Sequence, residues 1–362
     1  MLVAMAVLAL IMALASQMIG ATGKVWKNTT AKIEAFQGAR DAFELMTDQL
    51  RQATVNTYWD YFNASGLSLA QYNSSSPSTP FVPAVYGRQS ELHFISGPSL
   101  LTTPAQVTHA VFFQAPLGFP SNRTTYGALQ NLLSATGFYI EFGSGTNVVN
   151  AAPSFLPTTQ PQYRYRLMQF IQPTESLTVY NYSLTSGTLP NVWFTSPISN
   201  SHSTVVRTLA NNVIGLIISP KATDTSTDTL APTYAYDSRL GLTSGTATTS
   251  GSTPWTPGSG SQPLQMNQMP PILRIAMVVL DEASAKVLQG SGTTAPAKIT
   301  AAFAQNNLST DGKPLFTTAA NMDSDLLYLQ NGPSGLAQIT PHLNFRVFST
   351  TTIVRSARFS TK

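Results

Sequence analysis

The sequence predicts an α+β protein in which a long N-terminal helix packs on a large antiparallel β-sheet head domain. Three observations carry that expectation. The first fifty-odd residues have helical periodicity. Most of the remainder breaks into short β-rich runs separated by Gly, Pro, Asn and Ser. Strand patterns also resume after the one long low-complexity stretch without a new helical start.

The helix is read from its ends inward. From Met1 to Ala15 there is no charge, no Pro and no Gly, and nearly every residue is a good helix former. Leu2, Val3, Val7, Leu8, Leu10, Ile11, Leu14 and Met18 make this part apolar all round, as expected of a membrane-anchoring and assembly segment. Phe36, Ala39, Phe43, Met46, Leu50 and Ala53 then recur at three- and four-residue steps, a single apolar stripe. Phe36, Phe43, Met46 and Leu50 are the expected helix-to-head contacts, with Arg40, Asp41, Glu44, Asp48 and Arg51 on the wet faces. At about 1.5 Å per residue such a helix reaches roughly 75 Å. The apolar run is a little short of the ~20 residues of a comfortable span. With no basic segment before it, the true N-terminus is expected upstream of Met1.

Two other readings of this stretch compete. A cleaved secretory signal would use Ala13-Leu14-Ala15 as its cleavage site, but the cationic start is missing and the helical pattern runs on well past the cut. A buried core helix rarely opens a chain. Lys24 and Lys27 follow the apolar run and, by the positive-inside rule, argue for a cytoplasmic side. The sparsely charged, Ser/Thr-rich remainder reads instead as exported.

Past the helix end, near Ala53 to Asn56, Tyr58-Trp59-Asp60-Tyr61-Phe62 is an aromatic cluster expected to lock the helix onto the domain. Ser74 to Pro83 is loop by composition. Strands are expected at Glu91 to Ile95, Ala110 to Gln114, Thr136 to Phe142, Tyr163 to Gln172 and Leu177 to Tyr182. Val205 to Ile218 is ambiguous between helix and strand. Thr223 to Gly260 is low in complexity and reads as a surface excursion, with Tyr234, Tyr236 and Arg239 as anchors for one piece of it. Pro271 to Leu280 is the strongest strand, apolar enough to be central. Asp281 caps a following helix. Leu315 to Leu329 is mixed, and Asn344 to Phe359 closes the chain with β-rich residues. The organisation is a helix over 1–56 and a β-rich head over 57–362, with the surface loop at about 223–260.

Composition narrows the chemistry. Charged residues are 10% of the 362, the net charge is +4, and there is no Cys. Disulfides, thiolate metal sites and cysteine nucleophiles are thereby excluded. No basic run is interleaved with aromatics, so nucleic acid is not an expected partner. His93, His109, His202 and His342 are far apart in sequence and match no metal or catalytic spacing. There is no GxSxG, Walker or GxGxxG motif, and the glycines at Gly143-Ser144-Gly145 and Gly258-Ser259-Gly260 read as plain loops. Asp224 with Asp228, and Asp323 with Asp325, have loop-like spacing but not the ligand set calcium needs. Asp281-Glu282 does not make an acid–base pair. Asn28, Asn63, Asn73, Asn122, Asn181 and Asn307 head Asn-X-Ser/Thr triplets, which chance supplies freely in so Ser/Thr-rich a chain. Catalytic, cofactor-binding and metal-binding residues are each expected to be none.

The run LVAMAVLALIMALASQMI followed by AFELMTDQLRQA resembles the N-terminus of type IV pilin-like proteins, and Ala42 to Ala53 is most similar to J-type minor pseudopilins. YRLMQFIQP, NNVIGLIISP, YAYDSR, QMPPILRIAMVVLDEASA and RVFSTTTIVRSARFS further resemble the Verru_Chthon cassette proteins, nearest the protein C member. The chain departs from the pilin pattern in lacking the leader cleavage site, its following glutamate and the mid-helix proline, near which Gly20 and Gly23 weaken the helix. The resemblance implies a pilin-type helix and a non-enzymatic structural subunit of a type IV pilus-like or type II secretion pseudopilus-like assembly. Its partners would be inner-membrane lipid before assembly and other pilin-like subunits after it. The implied location is the inner membrane, single-pass with a periplasmic head, or an extracytoplasmic filament. The competing expectation is a secreted β-rich carbohydrate-binding protein or enzyme, with Trp59, Trp193 and Trp255 stacking on sugars.

Overall fold

The computed structural model describes residues 2–74, 78–102, 106–129, 131–144, 163–181, 191–223, 230–240, 255, 260–289, 292–303, 307–308, 312, 314–339 and 342–360. The chain opens with α1 (Leu2–Arg51), then β1 (Tyr58–Phe62), α2 (Leu69–Ser74), β2 (Val85–Gln89), β3 (Ile95–Pro98) and β4 (His109–Ala115). It continues through α3 (Arg123–Tyr126), β5 (Ser134–Gly143), β6 (Arg164–Gln172), α4 (Val192–Val205), β7 (Val206–Asn211), β8 (Val213–Lys221) and β9 (Tyr236–Asp237). The last elements are β10 (Ile272–Leu280), α5 (Glu282–Gln289), α6 (Ala297–Phe303), α7 (Met322–Asn331) and β11 (Phe345–Ile353).

The expected fold class is corrected here. The architecture is mixed α/β, with seven helices and three separate antiparallel sheets among the described residues, not a pilin-type helix on one large antiparallel sheet. Six strands run in the order β7-β6-β5-β4-β3-β9, three in the order β11-β10-β8, and β1 forms a two-stranded sheet with β2. The division has a physical cause. Residues Val213–Lys221 are buried on both faces, and so is most of β10. A strand with two apolar faces needs cover on each. β8 therefore lies against β3, β4, β5 and β6, so the three-stranded sheet stacks on the six-stranded one.

The other face of the six-stranded sheet is covered by α4. Phe194 stacks on Phe112 at 4.1 Å between ring centroids, and Trp193 packs edge-on to Phe112. Gly137, directly opposite Phe112 in the ladder, makes room for that ring: a Cβ there would sit 2.1 Å from Phe112 Cδ1. Pro197 is tolerated inside α4, which kinks at Ser201 before the chain turns into β7. Thus the ambiguous stretch after Val205 is two strands, divided at Asn212 with φ 62°.

Several local expectations also change. The strand expected at Glu91 to Ile95 begins only at Ile95, because Leu92, His93 and Phe94 are buried in irregular backbone. Leu177 to Asn181 forms a turn after β6 instead of a strand, and Tyr182 lies outside the described residues. Of the aromatic cluster, only Phe62 is buried; Trp59 and Tyr61 are half exposed. Within the low-complexity stretch, Leu230 to Ser238 is packed and contributes β9, while 224–229, 241–254 and 256–259 lie outside the described residues. Asp281 accepts from the Ser284 backbone N–H at 2.8 Å, capping α5.

Candidate functional site

Among the described side chains, α1 is buried against the body in its C-terminal part. Met46 and Leu50 are fully buried, Phe43 nearly so, and Phe36 is partly covered. Phe43 packs on Phe348 of β11 at 6.0 Å, and the Arg346 guanidinium lies 5.0 Å over the Phe36 ring. Gln49 reaches the six-stranded sheet, its Oε1 accepting from Gln169 Nε2 at 2.9 Å. Arg51 donates to Thr352 Oγ1 at 2.8 Å, and the Arg355 N–H donates to the Arg51 carbonyl at 3.0 Å. Helix and last strand are thereby pinned at the same end.

A chain of concavities follows one face of α1. Nearest the N-terminus is a shallow apolar depression formed by Ala15, Met18, Ile19, Thr22, Gly23 and Trp26. A cleft of about 600 Å³ follows between Thr29, Ile33, Phe36, Gln37 and Arg40 of α1 and Leu343–Phe348. Another of about 550 Å³ lies between Arg40, Phe43, Glu44, Thr47, Asp48 and Arg51 of α1 and Phe348, Ser349 and Thr350 of β11. The α1 residues recur at three- and four-residue steps, which keeps them on one side of a 3.6-residue helix. Along that side the surface passes from apolar to mixed to charged. Arg40 pairs with Glu44 at 2.8 Å, and Arg51 with Asp48 at 3.2 Å. The Glu44 bond holds the Arg40 guanidinium above its ordinary range. β11 forms the opposite wall, and its outer edge has no strand partner among the described residues.

The residues expected from sequence fall into three groups. Phe36, Phe43, Met46 and Leu50 lie at the contact with the body. Met18 is 74% exposed on the bare part of the helix. Leu2, Val3, Val7, Leu8, Leu10, Ile11 and Leu14 are on the α1 backbone, but their side chains lie outside the described residues. The expected single-pass inner-membrane anchor is overturned: among the described residues no helix is long and apolar enough to cross a membrane. The sequence gives the reason, since Ser16 and Gln17 interrupt the run and Lys24 and Lys27 follow. Trp26, Ile33 and the β11 wall escaped sequence reasoning, although the steps from Ala15 through Ile19, Thr22 and Trp26 to Ile33 were there to be counted.

Two of the scattered histidines have structural partners. His93 is fully buried, its Nδ1 accepting from Trp193 Nε1 at 3.0 Å, so that its Nε2 carries the proton shared with Asp237 at 2.8 Å. His202 Nε2 lies 3.0 Å from Glu141 and 3.1 Å from the Tyr139 hydroxyl, tying the end of α4 to β5. Burial, with Glu141 beside it, pushes the Tyr139 hydroxyl far above its ordinary value. Asp323 pairs with Arg274, whereas Asp325 accepts from the Phe316 N–H at 2.9 Å, so the two do not converge. Asp224 and Asp228 lie outside the described residues. No group of three metal-ligating side chains occurs among the described residues. Glu282 is pushed up by burial but held below its ordinary range by bonds from Arg164, Asn212 and Lys286. Of the tryptophans proposed to stack on sugars, Trp193 and Trp255 are buried; Trp59 is exposed and stacks on Tyr86 at 5.4 Å.

No family model, curated protein or solved structure matches the chain.

Proposed function

We propose that this chain is a non-enzymatic structural subunit of a type IV pilus-like or type II secretion pseudopilus-like assembly, of the kind the Verru_Chthon cassette proteins represent. One observation carries the reading. The side of α1 that borders the body from Thr29 to Arg51 continues past it to Ala15, where Met18, Ile19 and Trp26 are 72–74% exposed. Exposed apolar side chains on successive turns favour burial against another helix, at about 25 cal/mol per Å² removed from water. In this reading the helix of a like subunit seats along that side. The test is to shear extracellular filaments from the native host and probe them for this chain. The reading expects the chain in that fraction, and its loss when Met18 and Trp26 are both replaced by Glu. Absence of the unaltered chain from the filaments would overturn it.

A second reading, a carbohydrate-binding protein, has one observation in its favour. Trp59, Tyr61 and Tyr86 form an exposed aromatic group on the two-stranded sheet, with Tyr61 and Tyr86 at 5.2 Å. Titration with cello-oligosaccharides, followed by tryptophan fluorescence and repeated on Trp59→Ala, decides it. An unchanged signal in the unaltered chain removes this reading.

A further inference from the structure

A cleft of about 390 Å³ opens between the starts of β3's following loop and β4, the β8 strand and the segment that follows α6. That volume lies within the range of small-molecule sites, roughly 300–1,000 Å³. Every described side chain on its wall is uncharged or a histidine. Phe303 and Phe316, with ring centroids 6.2 Å apart, form an aromatic side.

The polar groups of the wall are mostly spent on the protein itself. Gln106 Oε1 accepts from the Leu100 and Leu101 N–H groups at 2.7 and 2.9 Å, and its Nε2 donates to the Gly97 and Thr108 carbonyls. Thr108 Oγ1 accepts from the Leu216 N–H at 2.9 Å. His109 differs. It is 97% buried (3% exposed), and its Nδ1 accepts from the Ile218 N–H at 3.1 Å, which places the ring proton on Nε2. Nε2 has no acceptor among the described residues, and the ring lines the cleft. Burial holds this imidazole down at about 4, so it is neutral throughout the physiological range.

We propose that this cleft is a binding site for a small uncharged ligand, an apolar aromatic body bearing one carbonyl-type acceptor, which His109 Nε2–H binds. The exclusion of charge follows from the wall. An anion or cation entering it would lose water and meet no opposite charge among the described residues of the wall. A purely apolar molecule would leave the Nε2–H unpaired, whereas a carbonyl satisfies it.

The test titrates the whole chain with acetophenone, toluene and benzoate, following the His109 ring and Ile218 amide signals by NMR. Acetophenone is expected to saturate these shifts with at least a fivefold lower Kd than toluene and a tenfold lower Kd than benzoate. His109→Phe, which keeps an aromatic ring and has no donor, should erase the preference for acetophenone over toluene. Thr233→Trp, a change at the exposed rim, should abolish binding of both while leaving the Tm unchanged. Equal affinity for acetophenone and toluene, tighter binding of benzoate, shifts that survive Thr233→Trp, or no shift with acetophenone at millimolar concentration would each overturn the proposal.

Discussion

Phe43 of α1 and Phe348 of β11 face each other at 6.0 Å, and together they join the helix to the edge of the three-stranded sheet. Below that contact Met46 and Leu50 are sealed in the core; beyond Phe36 the described side chains of the helix are exposed. Phe43→Ala removes the ring from a site only 7% exposed. The expected cost is about 3 kcal/mol, the lower part of the range for a large aromatic replaced by Ala. Chemical denaturation of the two chains, compared by midpoint at equal slope, measures it.

Gly137 is expected to be intolerant of any side chain. Its added Cβ would lie 2.1 Å from Phe112 Cδ1 and 2.7 Å from the Val111 carbonyl oxygen. The Phe112 ring cannot simply retreat, because Phe194 is stacked on it at 4.1 Å. Gly137→Ala should therefore destabilise by roughly 1–3 kcal/mol through overpacking. Gly38, with open space around its Cβ position on α1, serves as the comparison. Gly38→Ala should be neutral or slightly stabilising, by under about 1 kcal/mol. Thermal unfolding of both variants separates the two cases.

His109 predicts a pH dependence of stability. Its folded value, about 4, lies below its ordinary 6.5 because burial disfavours the charged ring. Between those values the unfolded chain binds a proton that the folded chain does not. Its contribution is therefore complete above about pH 6.5 and is lost as the pH falls towards 4, by up to about 3 kcal/mol. Carboxylates titrate in the lower part of the same window, so the measurement is a difference. The gap in unfolding free energy between the unaltered chain and His109→Gln should narrow by that amount from pH 7 to pH 4. A gap constant across the range would contradict the assignment.

The sequence was most legible where one periodicity ran unbroken. The steps from Phe36 to Leu50 could be counted along the helix, and the apolar run before Leu280 marked a central strand, now β10 between β8 and β11. Partition among sheets was not legible. Val213–Lys221 and the apolar part of β10 carry the same composition as strands of the larger sheet, and only tertiary stacking assigns them to another layer. The aromatic run Tyr58 to Phe62 misled because alternation in a strand buries one face and exposes the other, so Phe62 went inside and Trp59 and Tyr61 did not. His93 meets Trp193 and Asp237 across 100 and 144 positions of sequence, distances no local pattern spans.

The same gap separates the bare face of α1 from its β11 wall. Ile33 and Phe36 share a cleft with Phe345 and Phe348, yet the two segments lie at opposite ends of the chain. Sequence singled out Phe36 in that groove and missed both Ile33 and the β11 wall.

The most direct measurement is site-specific photo-cross-linking in the native host, with a photoreactive phenylalanine at Trp26 and, as control, at Val82, another side chain 69% exposed. If the bare side of α1 is the subunit contact, the probe at Trp26 forms adducts with a second copy or with another pilin-like subunit, mapped to that partner's N-terminal helix, and the probe at Val82 forms none. If Trp26 yields no intermolecular adduct, or the same adducts as Val82, α1 is not the assembly surface and the account fails.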